Sequence, residues 1–66
     1  MKYLVEIRVK NPTEENSGLV HSEPSQDMSH AFRTAAEMSE KIKLDKAHDH
    51  FVQICDGLSR DVIARF

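Results

Sequence analysis

The stretch DHFVQICDGLSRDVIARF, residues 49–66, decides the fold. Two apolar runs flank an Asp-Gly pair, the composition of a β-hairpin. A two-residue turn at Asp56 and Gly57 would pair Cys55 with Leu58 and Val52 with Asp61, setting an acid opposite a core valine. The apolar set would then be split between both faces. A three-residue loop with Gly57 supplying φ > 0 instead pairs Ile54 with Arg60 and Val52 with Val62. A five-residue loop over 56–60 pairs Ile54 with Val62 and Val52 with Ala64. Both odd-length loops gather Val52, Ile54, Val62, Ala64 and Phe66 on one face, so one of them is expected, between strands at 50–55 and 60–66.

That face needs an apolar partner, and the rest of the chain supplies two. In KYLVEIRVK, residues 2–10, Tyr3, Val5, Ile7 and Val9 alternate with Leu4, Glu6, Arg8 and Lys10. This is the period of a half-buried strand, ended by Asn11 and Pro12. Over residues 25–43, Met28, Ala31, Phe32, Ala35, Met38 and Ile42 recur at spacings of three and four, an amphipathic helix. Ser22 or Ser25 can cap its start, Pro24 suits the first turn, and Asp27 sets negative charge at the positive end of the dipole. Polar residues 13–18 predict a loop turning at Ser17 and Gly18, and residues 19–22 make either a short strand or a loop across the core. The fold class is α+β: a three- or four-stranded antiparallel sheet with one amphipathic helix on one face, order β(β)αββ, in a single domain spanning 1–66.

The same alternation leaves Phe51, Cys55, Ile63 and Arg65 on the second face beside Leu4. One helix covers one face only, so these five form a candidate interface, in which Leu4, Phe51, Cys55 and Ile63 are an apolar strip in water unless a partner covers it.

Composition narrows the function classes. A chain of 66 residues buries only roughly 60% of its unfolded surface, and its single cysteine excludes an internal disulfide framework. A partner, a metal or a merely adequate core is left to stabilise it. No apolar run reaches membrane-spanning length, the alternating start is unlike a signal peptide, and a lone cysteine suits a reducing compartment, so a cytoplasmic location is expected. Nine basic residues are scattered among eleven acids for a net charge of −2, poor material for a phosphate-binding stripe.

The chemical-looking residues carry little chemistry. His48 and His50, two apart, could share a metal ion, but their spacing to Cys55 matches no defined motif, and His50 and Cys55 point to opposite faces of the expected strand. No metal or other cofactor is expected. Cys55 lies in an apolar strand beside Asp56, which discourages a thiolate. Glu14 and Glu15 have no pocket to raise a pKa, and Gly18 and Gly57 make no phosphate loop. The expectation is a small non-enzymatic protein–protein interaction module, adaptor or inhibitor-like, of the kind common among phage and mobile-element accessory proteins. It would act through its uncovered sheet face or C-terminal edge strand and pair with itself as a homodimer or with another protein. The alternative is a single-stranded nucleic-acid binder using Phe51 with Arg8, Arg60 and Arg65 on the open sheet.

Overall fold

The structure, a computed structural model, describes residues 2–11, 18–45 and 49–66. The expected loop over 13–17 and the metal candidate His48 lie outside the described residues. Five elements follow in order: β1 (Tyr3–Val9), β2 (Leu19–Ser25), α1 (Met28–Leu44), β3 (His50–Asp56) and β4 (Val62–Arg65). The strands form one antiparallel sheet in the order β2-β1-β3-β4, with α1 lying over β1 and β3. The α+β architecture expected from the periodicities is the one observed.

The two central strands carry the core. Val5 pairs with Ile54 and Ile7 with Val52, so their side chains share the face under the helix. Val5, Val52, Ile54, Ala31 and Ala35 are fully buried, with Met38 beside them and Tyr3, Ile7 and Ile42 around the margin. The two alanines have no bulk to hold the helix off the sheet, so the valines and isoleucine meet the helix backbone closely. Phe32, expected within the stripe, sits at its edge and meets Phe66 edge-to-face with ring centres 5.6 Å apart.

The helix starts three residues later than expected. Asp27 is the N-cap, its extended backbone leaving Oδ1 to accept from His30 N–H at 3.1 Å. Ser25 closes β2 instead: its hydroxyl donates to the Asp27 carbonyl and shares a hydrogen bond with His30 Nδ1 at 2.8 Å. β2 runs seven residues, longer than 19–22, and six of the seven side chains are exposed. Its backbone ladder to β1 holds it rather than an apolar pattern, and Pro24 is accommodated because an outer strand has one edge needing no donor. Before β2, Gly18 turns the chain with φ 90, and its carbonyl accepts from Val9 N–H at 2.7 Å.

The hairpin corrects the expected register. Asp56 N–H donates to the Asp61 carbonyl at 2.9 Å, closing a loop of four residues, an even number. Gly57 does not supply the left-handed residue; Arg60 does, with φ 68. The Asp56 carboxylate makes this possible by accepting from Leu58 and Ser59 N–H at 2.8 and 3.0 Å, which sets the turn before glycine is needed. Gly57 N–H donates instead to the Lys2 carbonyl, tying the loop to the start of β1. The even loop sets Val62 opposite Cys55, away from the helix and 45% exposed, where Val62 was expected in the core. A β-bulge at Ile63 then restores the parity, so Ala64 faces Ile54, and Phe66 N–H bonds to the Val52 carbonyl on the helix side.

Because a domain this small rarely has more than about 3–5 kcal/mol of core stabilisation, Ile54→Ala, at roughly 2–5 kcal/mol, is expected to abolish the cooperative thermal transition followed by circular dichroism. Ile54→Val, at about 0.5–1.5 kcal/mol, should keep it at a lower midpoint.

Candidate functional site

The pairings that bury Val5, Val52 and Ile54 place Leu4, Glu6 and Arg8 of β1 on the other face, beside Phe51, Gln53 and Cys55 of β3 and Val62 and Arg65 of β4. No helix covers this face among the described residues, yet its centre is dry. Leu4 and Gln53 are 5% exposed, and Glu6 and Cys55 are 3% exposed. The apolar strip expected to lie in water is therefore corrected: Leu4 and Cys55 are enclosed, and Ile63 is the bulge residue of β4, 42% exposed. Phe51 and Arg65 do come together, with the guanidinium carbon 5.7 Å from the ring centre, a cation–π contact.

A polar network occupies the centre. Glu6 Oε1 accepts from Gln53 Nε2 at 2.9 Å, from Arg8 Nε at 3.1 Å and from Cys55 Sγ at 3.3 Å. Gln53 Nε2 also reaches Cys55 Sγ at 3.4 Å. Burial alone would push the Glu6 carboxyl up, but the hydrogen bonds from Gln53, Arg8 and Cys55, with the charge of Arg8, outweigh it and hold the group below the usual carboxylate range. The same closeness works the other way on the thiol. Burial first, then the hydrogen bond to Glu6 and its negative charge, push Cys55 up to about 11, against a smaller opposing pull from Arg8 and Arg60. A thiol held protonated beside a carboxylate is a poor nucleophile at neutral pH.

One end of this face is a shallow groove of about 300 Å³ whose walls include Arg8, Lys10, Phe51, Gln53, Val62 and Arg65. Around the strand ends, Lys10 and Phe51 also line a hollow of about 240 Å³ on the helix side, with Lys43, His50 and Phe66. Of the acids within the four strands only Glu6 lies on the bare face, since Glu23 pairs with Val5 and Asp56 with Tyr3 on the helix side. The exposed charge that the strands present there is positive. Glu6, Gln53, Val62 and Lys10 were missed as site residues. The signal for the first two was a carboxylate and an amide at facing positions of the two central strands, readable only once their register is known.

Among the described residues no three His, Cys, Asp or Glu side chains converge as a metal site. The His50 ring meets the Asp49 carboxylate at 2.8 Å, on the opposite side of the strand from Cys55. No described helix is long and apolar enough to cross a membrane. No protein-family model, no characterised protein and no solved structure matches the chain.

Two measurements check the network. The Glu6 carboxyl is depressed in the folded state, so its contribution to stability is present above its ordinary value of 4.5 and is lost as pH falls through the folded value. The urea midpoint should therefore drop below pH 4.5, and Glu6→Gln, at a cost of about 1–3 kcal/mol, should flatten that part of the slope. A Glu6→Gln slope as steep as that of the native chain would contradict the assignment. Cys55 should resist iodoacetamide at neutral pH in the folded chain and alkylate readily in urea, as read by mass spectrometry.

Proposed function

We propose that this chain is a small non-enzymatic binding module whose working surface is the bare sheet face, and that the partner it captures there is anionic. One observation carries the reading. The groove at the end of that face is lined by Arg8, Lys10 and Arg65 around Phe51 and Val62, while the face's one strand acid, Glu6, is buried and consumed by its own hydrogen bonds. Arginine and aromatic side chains in contact are the residue types that dominate binding energy at interfaces.

The edges support the face as the working surface. β4 has only four residues and a bulge. β2 has a bulge between the partners of Ile7 and Arg8, and carries Pro24. Short length, bulges and proline are the devices that blunt an outer strand against pairing with another chain. Of the partners expected from the sequence, a second copy or another protein, the cationic groove favours one that is acidic. The protonated, enclosed thiol of Cys55 supports the non-enzymatic part of the reading.

On a heparin column at low salt the chain is expected to be retained in spite of its net charge of −2. Lys10→Glu or Arg65→Glu should bring it through unretained, while Lys41→Glu, on the helix, should leave its elution unchanged. Passage of the native chain without retention, or an equal effect of Lys41→Glu, would remove the reading.

A further inference from the structure

We infer that the anionic partner of the bare face is a single strand of nucleic acid, its phosphates held by Lys10, Arg8 and Arg65 and one base stacked at Phe51. The inference rests on the reading of that face as the working surface, and it names the partner's class.

The argument starts from what lies between the cations. Charge would answer any acidic partner; this groove also sets an aromatic ring on a central strand, half-buried, among the basic side chains. Stacking on such a ring is tolerant of sequence, because every base has a π-face. Arg65 already lies over the ring, 5.7 Å from its centre. A planar guanidinium at that position continues the stacking surface and carries a charge for the neighbouring phosphate. Val62 and Gln53 complete the floor, the first as an apolar contact and the second with an amide committed to Glu6 and Cys55.

The cations follow a path. Arg8 and Arg65 lie on the bare face, Lys10 lies at the strand ends where both hollows meet, and Lys43 continues around the end to the helix side. A third hollow joins Lys10, Phe51, Arg65 and Phe66 across that margin. A flexible single strand can follow such a turn. A duplex presents its bases stacked inward and cannot offer one to Phe51. Among the described residues Asp49 lies close enough to Lys10 to feel its charge, and its carboxylate is hydrogen-bonded to His50. The sequence disfavoured a phosphate-binding stripe because basic residues are scattered along the chain; the sheet gathers three of them from the ends of two strands, β1 and β4.

The test is fluorescence anisotropy with a labelled oligothymidylate and with a duplex of the same length, at about 20 and about 150 mM salt. The native chain is expected to bind the single strand at low salt, to lose at least about tenfold in affinity at the higher salt, and to bind the duplex more weakly. Phe51→Ala and Phe51→Leu should each weaken oligothymidylate binding by roughly five- to a hundredfold; the leucine variant keeps the apolar bulk should the alanine variant fail to fold. Lys10→Ala should reduce the salt slope by about one, and Lys41→Ala should change nothing. Absence of binding at low salt, equal binding of duplex and single strand, or unchanged binding by Phe51→Leu would overturn the inference. If heparin retention then still depends on Arg65, the anionic-partner reading stands and the partner is an acidic protein; if heparin retention is absent as well, both fall.

Discussion

Glu6 faces Gln53 across the two central strands, and on the reverse of the same ladder Val5 faces Ile54 and Ile7 faces Val52. Side chains alternate along a strand, so one register serves both purposes. Slipping β3 by one residue would turn Val52 and Ile54 out to the bare face and bring Gln53 under the helix. A carboxylate 3% exposed is tolerable only when donors converge on it, and the native register brings Gln53 and Cys55 to the oxygen that Arg8 of the same strand also meets. The apolar core rewards this pairing and the buried carboxylate penalises its alternatives. In so small a domain, where the core contributes little margin, that second contribution gives the sheet a unique alignment.

The same carboxylate shapes the outer surface. Because Glu6 is occupied internally, with Arg8 as one of its partners, it shows almost no charge to water. The chain's other described acids are Glu23 on the helix side of β2, Asp27 at the start of α1, Glu37 and Glu40 along it, Asp45 at its end, Asp49 before β3, close enough to Lys10 to feel its charge, and Asp56 and Asp61 in the hairpin loop. A net charge of −2 is thus an average over two unlike sides. Local fields, which steer encounters, depend on the distribution rather than on the sum.

Much of the fold was legible in the sequence because burial writes a period into it. β1 alternates over its whole length, and the stripe of Ala31, Ala35, Met38 and Ile42 marks the helix and the face it buries. β2 was half legible, since a strand held by its backbone ladder with its side chains in water leaves no pattern. The hairpin loop was misread for a different reason. Parity was correctly seen as the constraint, but a regular ladder was assumed, so the odd residue was placed in the loop and the left-handed position at Gly57. In the molecule the odd residue is Ile63 within β4, and the Asp56 carboxylate lets Arg60 take the left-handed position. At the site, alternation correctly put Phe51 and Arg65 on the bare face. It could not tell that Leu4 and Cys55 are enclosed there, since the two come opposite each other only through the pairing of β1 with β3. Glu6 and Gln53, separated by 47 residues, become a pair only through that same distant pairing.

The bulge at Ile63 is what gives the bare face its character. With the observed four-residue loop and an unbroken ladder, Val62 would still oppose Cys55, but Ile63 would then oppose Ile54, Ala64 would oppose Gln53 and Arg65 would oppose Val52. The guanidinium would be driven toward the helix, and Phe66 would turn out to the bare face. One inserted residue reverses this: Ala64 and Phe66 return to the helix side, where Phe66 meets Phe32, and Arg65 comes round to Gln53 and lies over Phe51. The bulge also shortens the regular part of an outer strand and disfavours its pairing with another chain. A single backbone irregularity therefore closes the core, blunts the edge and delivers the cation to the aromatic ring. These three effects together leave the face, rather than the edge, as the surface available to a partner.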